Sequence, residues 1–95
     1  SANYQLSGND RNGTVTGNDP TVTIALGDTL NFNVDAPGHP FYLKTQSGTG
    51  TANQVIGATN QGTENGTVTW TPSATGTYYY ICSLHGGMVG TIIVQ

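Results

Sequence analysis

Apolar and polar residues alternate in short runs along the chain. Val22 and Ile24 alternate with Thr21 and Thr23, Leu30, Phe32 and Val34 with Asn31 and Asn33, and Val68 and Trp70 with Thr67 and Thr69. A period of two sends successive side chains to opposite faces, so each run reads as a half-buried strand. Turn-forming residues separate the runs: Asn12-Gly13, Asn18-Asp19-Pro20, Gly27-Asp28, Ala36-Pro37-Gly38, Asn65-Gly66 and Thr75-Gly76. Strands at about 8–12-residue spacing with such punctuation predict an all-β sandwich or barrel.

Two stretches break the rhythm. From Gly48 to Gly66 the chain is rich in Gly, Thr, Gln and Asn, with Val55 and Ile56 as its apolar anchors. It reads as a long connection carrying one short edge strand. A Gly-Asn-Asp tripeptide occurs at residues 8–10 and again at 17–19. This resembles the nonapeptide repeat of calcium-binding β-rolls, but a single repeat has nothing to stack on, and chance or paired turns explain it better.

Composition narrows the function. The 95 residues suit one domain spanning 1–95. Charged residues make up only 7% of the chain, and Arg11 and Lys44 are its two cations. Nucleic acid is thereby excluded as a partner, because neutralising phosphates needs clustered Lys and Arg. A polybasic membrane-surface site is excluded for the same reason, and no apolar run approaches the roughly 20 residues of a spanning helix. Disorder is excluded by the aromatic and β-branched residues that recur through the alternating runs.

The chemistry lies near the C-terminus, in the segment from Gly76 to Val94. It reads as a strand ending at Cys82, a loop from Ser83 to Gly87, and a return strand beginning near Met88. The single cysteine can form no intramolecular disulfide, leaving an inert core thiol, a reactive thiol or a metal ligand. Taken singly, a Cys at a strand end is usually a buried hydrophobe, a Met is usually core and a loop His usually faces solvent. Here the chain has one Cys, one Met and two His, and three of these four fall at positions 82, 85 and 88. A thiolate, an imidazole and a thioether on one short loop form a set preferred by copper, whose blue sites take two His, one Cys and a weak axial Met. The second imidazole must then come from His39, at the start of the apolar run Phe41-Tyr42-Leu43.

These residues resemble the cupredoxins, the blue copper proteins of the plastocyanin and amicyanin kind. The resemblance covers most of the chain. It includes the strand entry Gly27-Asp28-Thr29-Leu30-Asn31-Phe32, the Gly38-His39 turn, Trp70-Thr71-Pro72, Gly76-Thr77-Tyr78 leading to Cys82, and Met88-Val89-Gly90 opening the final strand. The Cys-x2-His-x2-Met spacing is that of amicyanin, two residues shorter than plastocyanin's. The resemblance implies a Greek-key β-sandwich of about seven to eight strands and one copper ion, cuprous or cupric. His39 and His85 would supply imidazole nitrogens, Cys82 the thiolate and Met88 the axial sulfur.

The family's tyrosine corner maps onto Tyr78. Strand parity then turns Tyr78, Tyr80 and Cys82 inward, and Tyr79 and Ile81 outward. Plastocyanin has an aromatic residue where this chain has Ile81, so its remote electron route is not expected here. The backbone amide that usually donates to the Cys sulfur is missing as well, since the residue after His39 is Pro40. The Leu84 amide is expected to donate in its place.

The implied function is electron transfer by a mononuclear type 1 copper centre, with no catalysis, because four protein ligands leave no open position for substrate. An unidentified redox protein would dock near His85, where Gly86 and Gly87 carry no bulk. The alternative is a cupredoxin-fold structural or interaction module of a larger extracellular or virion-surface protein, with copper incidental or stabilising; copper sequestration or delivery is a third reading. The expected state is a monomeric domain, alone or within a larger protein, exported to a periplasmic or extracellular location. The first residues show no charged and apolar leader, so any signal peptide is expected to have been removed already or never to have been in this chain.

Overall fold

Among the described residues eight strands form, and the three alternating runs fall in β3, β4 and β6: β1 (Gln5–Asp10), β2 (Gly13–Asn18), β3 (Val22–Ile24), β4 (Leu30–Asp35), β5 (Phe41–Lys44), β6 (Asn65–Trp70), β7 (Gly76–Cys82) and β8 (Val89–Val94). The computed structural model describes residues 3–95, and among them there is no helix. In β4 the alternation is complete: Leu30, Phe32 and Val34 are buried while Asn31, Asn33 and Asp35 are exposed. Antiparallel pairing with β6 sets Leu30 opposite Trp70 and Phe32 opposite Val68. On the outer face the hydroxyls of Thr67 and Thr69 donate to the side-chain oxygens of Asn33 and Asn31, both at 2.9 Å. The polar half of the pattern is therefore a cross-strand ladder in its own right.

The other main sheet runs β3-β8-β7-β5. β3 lies parallel to β8, while β7 is antiparallel to both β8 and β5. Its inner face joins β4 and β6 in one core that includes Val22, Phe32, Phe41, Leu43, Trp70, Tyr80, Cys82, Met88 and Ile92. Tyr80 is fully buried and donates its hydroxyl to the Pro20 carbonyl at 2.6 Å. Gly90 is its partner on β8, and a Cβ there would overlap the Tyr80 ring. Tyr78 makes the expected corner, donating to the Ala74 carbonyl at 2.8 Å and packing edge-on against Trp70.

β1 and β2 bond to each other as a separate hairpin. It is fastened at its ends. Asp10 accepts the Thr23 amide at 2.7 Å and Arg11 donates to the Thr23 carbonyl at 3.1 Å, while Tyr4 and Asp19 exchange bonds of 2.8 and 2.7 Å at the open end. Both Gly-Asn-Asp tripeptides thus end strands with a carboxylate that binds backbone, as paired turns would. Along its length β1 makes no backbone bond to β4 among the described residues. A cleft of about 960 Å³ lies between them, lined by both strands and also by Tyr4, His39, Phe41 and Met88.

Two expectations are corrected. The connection expected from Gly48 to Gly66 ends at Glu64, where β6 begins, and contains no edge strand, only isolated bridges from Gln54, Thr59 and Thr63 to Lys44, Thr69 and Phe41. Positive φ at Asn53, Gly57, Asn60 and Gly62 interrupts any extended run. Within it Val55 is buried but Ile56 is 96% exposed, so it anchors only by accepting the Trp70 indole N–H on its carbonyl. Ile81 does lie on the face opposite Tyr80, yet it is fully buried. The connection folds over that face: Gly62 meets the Tyr42 hydroxyl, and Lys44 binds the carbonyls of Gly48 and Gly50.

Candidate metal centre

The site forms where β5 begins and β7 ends. His39 stands in a tight turn closed by its own amide donating to the Ala36 carbonyl at 3.0 Å, with Gly38 at φ 83°. That conformation favours glycine, and the Gly38 amide donates to the Glu64 carboxylate at 2.6 Å. Cys82, the last residue of β7, lies opposite Phe41. Two backbone bonds close the loop that follows: Cys82 donates to the Met88 carbonyl and Met88 to the His85 carbonyl, both at 3.0 Å. A third, from the Ser83 amide to the Pro40 carbonyl at 3.1 Å, ties this loop to the His39 turn.

The result is a convergence of donor atoms. The Cys82 sulfur lies 3.7 Å from His39 Nδ1 and 3.4 Å from His85 Nδ1. The two imidazole rings are 5.0 Å apart at 50°, and one ligand atom from each of the three residues falls within 4.8 Å of the others. With metal–nitrogen bonds of about 2.0 Å and metal–sulfur bonds of about 2.3 Å, nitrogen and sulfur on one ion lie about 3.5 Å apart at a tetrahedral angle and about 3.7 Å apart at a trigonal one. The spacing present suits a single ion without rearrangement. Cys82 and Met88 are buried, His39 is half-buried and His85 is exposed.

The sequence matches the model of the copper-binding proteins of the plastocyanin/azurin family over residues 5–95. The chain belongs to that family. A search of curated proteins returned no match. As in the rest of this family of cupredoxins, the cofactor is copper, and the two imidazoles, thiol and nearby thioether of this chain have the donor chemistry of a type 1 site.

One expectation about the site fails. The Leu84 amide makes no hydrogen bond to the Cys82 sulfur among the described residues; Leu84 instead sits 64% exposed on the loop. Sequence reasoning also passed over Tyr4, whose hydroxyl donates to the His39 carbonyl at 3.0 Å. No local signal marks that contact, because 35 positions separate the two residues.

Proposed function

We propose that this cupredoxin carries single electrons, holding one copper ion through His39 Nδ1, His85 Nδ1 and Cys82 Sγ, with the Met88 thioether as the weak axial ligand. The observation that carries this reading is the convergence of two imidazoles and a thiol in which His85 alone is exposed. Bound copper supplies one-electron chemistry between its cuprous and cupric states. The chain supplies stiffness, since Cys82 ends a paired strand and the His39 turn is bonded to its loop. A donor set fixed between the geometries the two oxidation states prefer needs little reorganisation on electron transfer.

The exposed His85 ring offers the electron an exit, flanked by Leu84 and two glycines. A redox protein would dock there, on a surface nearly free of charge. With four protein donors there is no open position for a substrate, so the domain is a carrier and not an enzyme. It works as one monomeric unit over residues 1–95 in a periplasmic or extracellular setting, as is common in the family. No helix among the described residues is long and apolar enough to cross a membrane.

The test is the visible spectrum on addition of cupric ion. An intense thiolate-to-copper band that disappears in Cys82→Ser, with the β-fold retained, supports the reading. No band in the parent protein overturns it in favour of a structural module. Rapid exchange of the bound ion with free chelator would point to copper delivery instead.

A further inference from the structure

A metal centre is only as exact as the groups that hold its ligands in place. Cys82 ends a paired strand, but His85 stands exposed in the loop from Ser83 to Gly87, which belongs to no strand. What fixes that loop therefore fixes His85. One tie is the Ser83 amide bonded to the Pro40 carbonyl at 3.1 Å. A second comes from the other side: the Ser83 carbonyl accepts the Gly50 amide at 2.8 Å, and the Thr49 methyl lies 3.5 Å from where a Cβ on Gly86 would stand. The 48–50 turn thus touches the ligand loop both before and after His85.

This turn is not self-supporting. Gly48 and Gly50 take φ of 140° and 83°, and glycine loses more freedom on folding than any other residue. Among the described residues, the Gly50 amide makes the one backbone hydrogen bond of residues 46–50. The carbonyls of Gly48 and Gly50 instead converge on Lys44 Nζ, at 2.8 and 2.7 Å. Lys44 is 2% exposed, and its backbone is held in β5 opposite Tyr79. A cation is rarely buried so far unless its charge is met, and burial lowers its pKa from the ordinary 10.5. Here the carbonyls of the turn meet that charge.

We propose that Lys44 is a positioning residue of the metal centre: its ammonium fixes the 48–50 turn, which holds Ser83 and Gly86 on either side of His85 and so sets where that imidazole stands relative to Cys82. The inference deepens the type 1 copper reading above and rests on it.

The experiment compares Lys44→Met with the parent in the full chain. In the metal-free proteins, exchange of the Met88 amide, whose bond to the His85 carbonyl closes the ligand loop, should rise at least about tenfold in the variant relative to Ile92. Loaded with cupric ion, the variant should stay blue, with electron paramagnetic resonance lines broader than the parent's because His85 no longer holds one position. A role confined to holding the fold would raise exchange at Met88 and Ile92 together and leave the lines as sharp, and that result overturns the proposal. Faster exchange at Gly50 with Met88 unchanged overturns it too. In the metal-free parent, NMR should show a scalar coupling across the hydrogen bond from the Gly50 amide to the Ser83 carbonyl, and slowly exchanging Lys44 Nζ protons. Absence of either overturns the proposal even if Lys44→Met does not fold. A parent that takes up no blue colour defeats the copper reading, while the metal-free exchange ratio still decides whether Lys44 holds the loop.

Discussion

The Lys44 ammonium donates to the Gly50 carbonyl at 2.7 Å, and the Gly50 amide donates in turn to the Ser83 carbonyl at 2.8 Å. A second bond from the same ammonium reaches the Gly48 carbonyl at 2.8 Å. Lys44 is only 2% exposed, and no carboxylate pairs with it among the described residues. A buried cation satisfied by backbone alone is thus linked, through one loop, to the residue that follows Cys82.

Lys44→Met keeps the length of the side chain and removes its donors. Bonds from a charged group contribute about 1.5–3 kcal/mol each, so the 48–50 loop should loosen while the core remains intact. Amide exchange at Gly50 is expected to rise by at least about tenfold, measured against Ile92 as a core reference. Unchanged exchange at Gly50 would show that the loop holds itself.

Gly90→Ala should destabilise the fold by about 1–3 kcal/mol, the usual range for forcing extra volume into a packed core. The added methyl meets the Tyr80 ring, which cannot move aside without losing its bond to Pro20. A urea midpoint equal to that of the parent would refute the steric account. Gly87→Ala is the control, since a Cβ there meets nothing within 4 Å.

Copper should raise the melting temperature. His39 and Cys82 are 43 positions apart, so the complete site exists only in the folded chain. At free copper a hundredfold above Kd the gain is about 2.7 kcal/mol, or more than about 10 °C for a domain this small. Equal melting temperatures for the metal-free and copper forms would contradict a site completed by folding. His39→Ala should remove most of the difference.

Alkaline pH should unfold the protein. Burial raises the pKa of both Tyr4 and Tyr80 above the ordinary 10.0, so above that pH the unfolded chain releases protons that the folded chain keeps, and stability falls. Lys44 acts in the opposite sense. Burial lowers its pKa from 10.5, so between its folded value and 10.5 the unfolded chain holds more protons and stability rises. The urea midpoint should therefore fall steeply above pH 10.5, and in Lys44→Met the fall should begin earlier. A flat profile from pH 9 to 11.5 would refute both assignments.

Much of this was legible in the sequence for a simple reason. The strand signal at Leu30, Phe32 and Val34 is local, and so is the Cys82, His85 and Met88 spacing, which one short loop can close. What escaped depends on distant segments meeting. Ile81 obeys strand parity, but parity cannot say that the 45–62 connection will fold over the outer face and bury it. In the sequence Lys44 counts only as one of two cations, because nothing nearby signals that Gly48 and Gly50 would turn their carbonyls toward it. The supposed edge strand failed because its Gly and Asn residues adopt positive φ, a choice fixed by the packing of that connection. The bearing of the Leu84 amide depends on loop dihedrals that composition does not encode, and the Tyr4 contact joins the residue before the first strand to a turn 35 residues later.

The hairpin of β1 and β2, held at its ends and unbonded along the flank that faces β4, gives the molecule a weak seam. Elements fastened this way open as units of their own, at a lower free energy than the sheet that carries Cys82. Each such excursion carries Tyr4 away from His39 and lets solvent reach His39 and Met88 through the cleft. The surroundings of the centre are therefore an average over closed and breathing states, and warming, which favours the open state well before the sandwich melts, should make the reduction potential drift with temperature in a way that a disulfide stapling the hairpin to β4 would suppress.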